Sequence, residues 1–123
     1  MLASPKVARL DLVDIDRRAV ACARRNVGDP RAHVLWADLR QPGTRLGELD
    51  FVVMNPPFHA GGHEDRGLGQ SFIRAAAGGL RRGGLCRLVA NRHLPYEAVL
   101  AELFSHVGTL AEADGYKVFE ARK

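Results

Sequence analysis

The chain has 123 residues, 46% of them hydrophobic and 26% charged, which is the length and balance of one ordinary globular domain. No apolar run approaches transmembrane length, and the opening Met1-Leu2-Ala3-Ser4-Pro5-Lys6 has no signal-peptide core, so membrane insertion and secretion are not expected. Lys plus Arg exceeds Asp plus Glu by 18 − 14 = 4, and no basic run is longer than two, a balance that permits a nucleic-acid partner without requiring one.

Fifteen of the eighteen basic residues are arginine, which we ascribe to a GC-rich genome before any function. Cys22 and Cys86 stand far apart, with no C-x-x-C and no histidine cluster at metal-ligand spacing. Both read as reduced core thiols of a cytoplasmic protein, and no metal is expected.

In chain order, residues 7–14 (VARLDLVD) read as a strand ending on Asp14. Asp16 can cap the helix that follows, with Ala19, Val20, Ala23 and Val27 at helical spacing and Gly28 as the stop. Residues 33–38 read as a strand closing on Asp38. A loop from Gln41 to Gly47 leads to the strand at 50–54, and a glycine-containing loop at 61–69 to a helix with Phe72, Ile73, Ala76 and Leu80 on one face, closed by Gly83-Gly84. Residues 85–91 form another strand, and Pro95 opens a helix with Tyr96, Val99, Leu100 and Leu103 on one stripe. Residues 106–111 and 116–121, joined by the turn-like Glu112-Ala113-Asp114-Gly115, read as an antiparallel hairpin. Strands alternating with helices predict an α/β sheet, parallel until its last strand, within a single domain over 1–123.

In such sheets ligands bind beyond the carboxyl ends of the strands, which here carry Asp14, Asp38 and Asn55. Asp14 precedes a helix and can accept from both hydroxyls of a ribose, or it can serve as a turn aspartate. Asp38 can accept from an adenine amino group, or simply form a turn. Asn55-Pro56-Pro57-Phe58 is the more informative stretch. The two prolines lack N–H donors and fix φ, holding a rigid extended turn that pushes Asn55 out of the helical region. The Asn55 side-chain oxygen and the Pro56 carbonyl can then converge as neutral acceptors on an aromatic amine. Such an amine is a poor nucleophile because its lone pair is conjugated. Two hydrogen bonds to its protons favour a pyramidal nitrogen whose lone pair is free to attack an electrophilic carbon. Phe58 offers a flat face for the ring that carries the amine, and stacking of that kind contributes about 1–3 kcal/mol. A base within a structured nucleic acid must first be splayed out of its stack. The plainer alternative is a Pro-Pro strand terminator with Phe58 in the core.

Asn-Pro-Pro-Phe after an apolar strand resembles the catalytic motif of S-adenosylmethionine-dependent amino methyltransferases. LDLVDIDRRAVACARRN, DFVVMNPPFHAGG, GGLCRLVANRHLPYEAVL and GYKVFEARK are similar to successive blocks of the methyltransferase small-domain family, specifically the small-subunit ribosomal RNA guanine-N2 methyltransferases. Phe58 followed by His59-x-Gly61, and then Ala90 to Tyr96, sets it apart from relatives with Tyr at the aromatic position, such as adenine amino and protein-glutamine methyltransferases. The resemblance implies a Rossmann-like core in which Asp14 binds the ribose of S-adenosylmethionine and Asp38 lies near its adenine. It implies that Asn55, beside the cofactor, holds the target guanine together with Pro56, Pro57 and Phe58, and that Asn91 with the loop after it lines the substrate side. The implied partner is ribosomal RNA or the small ribosomal subunit. His59 and His63 fall beside the site, but neither is expected to act as general base, since the methylated amine can lose its proton to water.

The departure from the family pattern is at the start. A complete domain of this kind begins with a central strand and a G-x-G-x-G loop, whereas this chain has no glycine before Gly28. The first strand and its loop are therefore expected to be missing, through a late-started frame, an expressed fragment, or a short chain completed by a partner, the first two being favoured. In the family's sheet that strand lies between those ending at Asp14 and Asn55, so its loss exposes two edges that invite self-association. A protein-glutamine or adenine target, or a non-catalytic RNA-binding remnant, are the alternatives.

Overall fold

A computed structural model describes all residues except Pro42, Gly43, Arg45, Gly61, Gly62 and Asp65, and gives the backbone alone for His59, Ala60, His63, Glu64 and Arg66. The described residues form two compact units, Met1–Gln41 and Pro42–Lys123.

The first unit is a βαβ crossover: strand β1 (Leu10–Asp14), helix α1 (Arg17–Asn26) and strand β2 (Ala32–Trp36). β1 and β2 pair in parallel, with Leu12 opposite Val34 and Asp14 opposite Trp36. Asp16 caps α1 as predicted, accepting from the Arg18 N–H at 2.8 Å through its side chain. The helix ends on Val27, one residue before Gly28. Val20 is the buried residue of α1. Cys22 sits two positions on, roughly 200° around the helix, and is exposed, so its reading as a core thiol is wrong. The second strand also stops earlier than predicted, at Trp36. The Ala37 N–H still reaches the Asp14 carbonyl, and Asp38 already belongs to the turn that closes on Gln41. Arg31 anchors the start of the chain: it donates to the carbonyls of Leu2, Ser4 and Val7 while pairing with Asp29 at 2.7 Å.

The second unit begins with strand β3 (Leu49–Met54). Two short strands follow, β4 (His59–Ala60) and β5 (His63–Glu64), and then helix α2 (Arg66–Gly79), strand β6 (Leu80–Asn91), helix α3 (Glu97–Leu103) and strands β7 (His106–Ala113) and β8 (Tyr116–Arg122). The main sheet has the order β3-β6-β8-β7, parallel between β3 and β6 and antiparallel at the other two pairings, so the predicted closing hairpin is present. Its turn puts Asp114 and Gly115 at φ +53° and +82°, the left-handed pair that a two-residue hairpin demands. α2 ends at Gly79, not at Gly83-Gly84. Leu80 already pairs with Leu49, and the four residues Arg81 to Gly84 bulge from the ladder before Leu85 rejoins it opposite Phe51. Gly83 supplies the positive φ of +80° in that bulge.

Alternation along the strands decides which face is covered. Cys86, Leu88 and Ala90 of β6, with Phe119 and Ala121 of β8, are buried against Ile73, Ala76 and Ala77 of α2 and Val99 and Leu100 of α3. Each large side chain buried in this way contributes about 1.5–3 kcal/mol. Burial pushes the Cys86 thiol up to about 11, so it stays neutral, its sulfur 3.8 Å from that of Met54. β1 is paired only with β2, and β3 only with β6, among the described residues. This is the pairing expected of a Rossmann-like core that lacks a strand able to pair with both. No described helix is long and apolar enough to cross a membrane.

Tyr96 is fully buried, and a methyl carbon added to Gly69 would lie 1.8 Å from its hydroxyl oxygen. Gly69→Ala should therefore lower stability by about 1–3 kcal/mol despite the better helix propensity of alanine. Gly78→Ala, with nothing within 4 Å of its new methyl, should raise it by about 0.5 kcal/mol; denaturant midpoints check both. The hydrogen bonds from Arg31 hold the Asp29 carboxyl at about 2, below its ordinary 3.8. A depressed carboxyl stabilises the fold above pH 4 and stops doing so as pH falls through 2. Acid titration of the first unit should lose stability across that window, and Arg31→Ala should flatten the loss.

Candidate active site

The second unit carries Asn55, Pro56, Pro57, Phe58 and Asn91. Pairing along β3 stops at Met54 opposite Leu88, because Pro56 and Pro57 have no N–H for a ladder. Asn55, Pro56, Pro57 and Phe58 line an open cleft of about 220 Å³. Pro56 is buried and Phe58 is half-buried, packed by one part of its ring on the core. Phe58 thus packs on the core and also lines the cleft. Asn55 is exposed, with its side chain free of the sheet.

Phe58 is braced by a residue that sequence reasoning gave no role. The His93 ring stands edge-on to it, centroids 6.4 Å apart and planes at 86°. His93 belongs to the segment after Asn91, which ends β6 opposite Tyr116 of β8. That segment is tied down at several points. The Leu94 N–H donates to the Asn91 carbonyl at 3.0 Å and the Arg92 N–H to the Gly115 carbonyl at 2.7 Å. Lys117, only 7% exposed, reaches from β8 to the Leu94 carbonyl at 3.4 Å and to the Glu97 carboxylate. A buried lysine needs such partners, since an unpaired buried cation is strongly disfavoured. Asn91 therefore stands at the root of a fixed segment that meets Phe58 through His93. Lys117 was hidden in the sequence because it sits in a strand whose neighbours alternate as ordinary core and surface. Gly61 of the His-x-Gly stretch lies outside the described residues, as do the side chains of His59 and His63.

The first unit carries Asp14 and Asp38. Asp14 closes β1 with its carboxylate exposed; one oxygen accepts the Asp16 N–H at 2.8 Å. That bond fixes the orientation and leaves lone pairs on both oxygens, the arrangement that a vicinal diol needs. Asp38 is more committed. Its oxygens accept from the Arg40 N–H at 3.0 Å and from the Arg40 guanidinium at 2.8 and 2.7 Å, and those bonds lower its pKa. A carboxylate so engaged stays ionised.

Asn91 and the acceptor cleft thus lie in one unit, Asp14 and Asp38 in the other, all at or just beyond the carboxyl ends of strands. The chain was compared with known proteins. The model of the methyltransferase small domain matches residues 1–120. Ribosomal RNA small subunit methyltransferase C of Shewanella piezotolerans is 37% identical over 120 residues, covering 97% of this chain and 34% of the relative. The protein of that name from Erwinia tasmaniensis is 37% identical over 126 residues, covering 98% and 35%. The chain thus spans about a third of the length of these relatives. Among solved structures, the T. thermophilus 16S rRNA N2 G1207 methyltransferase, in complex with AdoMet and guanosine, superposes with a TM-score of 0.77 at 34% identity, over 94% of this chain and 31% of that one. A predicted O-methyltransferase of Agrobacterium tumefaciens, 22% identical with a TM-score of 0.71 over 94% of this chain and 65% of that one, shares the fold. With this match spanning nearly every residue and a proline-stopped strand supplying the acceptor cleft, the chain belongs to the methyltransferase small domain family.

Proposed function

We propose that the chain is the greater part of one catalytic domain, from a cytoplasmic enzyme that methylates the exocyclic amine of a guanine in small-subunit ribosomal RNA. The observation that carries this reading is the cleft of Asn55, Pro56, Pro57 and Phe58 at a strand end that proline keeps out of the ladder. The relatives' names and the guanosine in the T. thermophilus structure support the choice of target.

The donor is S-adenosylmethionine, whose sulfonium supplies an electrophilic methyl group when bound. Asp14 suits its ribose, holding the two hydroxyls with a carboxylate that is already oriented by the Asp16 N–H. Asp38, just beyond the end of β2, suits the adenine amino group as an ionised acceptor. On the substrate side, Asn55 Oδ1 and the Pro56 carbonyl accept the two protons of the guanine amine and keep its lone pair out of conjugation. Phe58 holds the base by its face, and His93 keeps that ring from turning. The surplus proton leaves to water, so no side chain is required as general base. Asn91 borders the substrate side from the neighbouring strand end.

Removing one preorganised polar group around a reacting centre costs on the order of 10²–10³ in turnover. Asn55→Ala should therefore reduce methyl incorporation into small-subunit ribosomal RNA by about that factor, with cofactor affinity changed less than about threefold. Equal activity would remove the assigned role, and labelling of protein substrates in place of RNA would overturn the target. Asp14→Ala should instead weaken cofactor binding by at least tenfold in a calorimetric titration, as the loss of charge-assisted hydrogen bonds requires. An unchanged dissociation constant would refute that assignment.

A further inference from the structure

The first unit has a surface that neither the ribose carboxylate nor the acceptor cleft uses. α1 carries Arg17, Arg18, Arg24 and Arg25 and no acidic residue. Arg18 reaches Asp16 at 3.4 Å. Arg17, Arg24 and Arg25 have no carboxylate partner among the described residues. Two of these three are nevertheless pinned onto β2. The Arg17 guanidinium lies over the Trp36 ring, 4.0 Å from its centroid, and Arg24 donates to the Val34 carbonyl at 3.3 Å. Trp36 is itself fixed, its indole N–H donating to the Ile15 carbonyl at 2.7 Å, yet it remains 50% exposed.

Fold stability does not explain this arrangement. Arg17 and Arg18 open α1, the end of a helix where cations are disfavoured, and a half-exposed tryptophan gains little from burial. The seam does present fixed positive charge to solvent. Seven residues separate Arg17 from Arg24, so both lie on one face about 10 Å apart. One small anion cannot span them, whereas a polyanion can. A guanidinium held over an indole is also a platform on which an unpaired base stacks. Because these arginines are already fixed, binding immobilises little more.

We propose that the α1–β2 seam of Arg17, Trp36, Arg24 and Arg25 is an accessory contact for the substrate RNA, gripping the backbone and one unpaired base of a strand outside the target nucleotide. The identity of the polymer rests on the ribosomal RNA reading above; the seam is a separate site. Fluorescence anisotropy of a labelled single-stranded segment of small-subunit ribosomal RNA, titrated with the whole chain over a salt series, tests it. Arg17→Ala with Arg24→Ala should weaken binding by about tenfold or more and reduce the salt slope by roughly 1.4, two phosphates at 0.7 each. Trp36→Leu should weaken binding severalfold while leaving the slope in place. Lys6→Ala with Arg82→Ala, an equal loss of charge elsewhere, should cost less than about threefold. If that control pair loses as much as the seam pair, total charge is responsible and the seam is refuted, with the methyl-transfer reading untouched. If polyglutamate displaces the seam contact as well as RNA does, an acidic protein partner replaces RNA and the inference falls. If the wild-type chain does not bind the RNA, the seam inference falls, while methyl incorporation into small-subunit ribosomal RNA still decides the catalytic reading.

Discussion

Pro56 and Pro57 have no hydrogen to give a neighbouring strand, and the cleft of the second unit follows from that constraint. β3 must leave the ladder at Met54, while β6 pairs on to Asn91 with β8 on its other side. The chain is released at the carboxyl end of β3 with its φ angles set by two rings. Pro56 is buried and Phe58 leans on the core, so the turn is held from below while Asn55 remains exposed. A turn built in this way is rigid before anything binds, which is where preorganised dipoles gain over water.

The brace behind Phe58 shows how a cleft this open keeps its shape. His93 meets Phe58 edge-on, and the segment that carries it is fastened to β8 by Lys117 and to the hairpin turn by Arg92. Beneath it, Tyr96 fills the space that Gly69 leaves by having no side chain. The covered face of the sheet thus reaches the cleft through a short series of contacts.

Charge is placed differently in the two units. The single buried cation among the described residues, Lys117, is matched by a carboxylate and a carbonyl. In the first unit Asp38 is matched by Arg40, but three arginines of α1 have no carboxylate partner among the described residues, and two of them are held in place by an indole face and a carbonyl. Fixed and uncompensated charge contributes little to folding, and it suits association with a polyanion.

What the sequence by itself determined is local. Alternating periodicities, the Asp16 cap, the Asp-Gly hairpin turn and the proline-stopped strand all depend on neighbours within a few residues, and the structure has each of them. The Asn-Pro-Pro-Phe stretch was legible for the same reason, since its chemistry and its rigidity lie in four consecutive residues. What only the tertiary structure decided depends on partners distant in sequence. Cys22 and Cys86 look alike as isolated cysteines, but one falls on the outer side of α1 and the other under α2 and α3. Gly83-Gly84 reads as a helix stop, yet Leu80 is drawn into the sheet by Leu49, 31 residues earlier, and the glycines become the bulge instead. Lys117 and His93 gained their roles from groups 23 and 35 residues away, through contacts that no local pattern encodes. Propensity and spacing act along the chain, whereas burial and side-chain pairing act across it, and the latter settle which face of each element becomes part of a site.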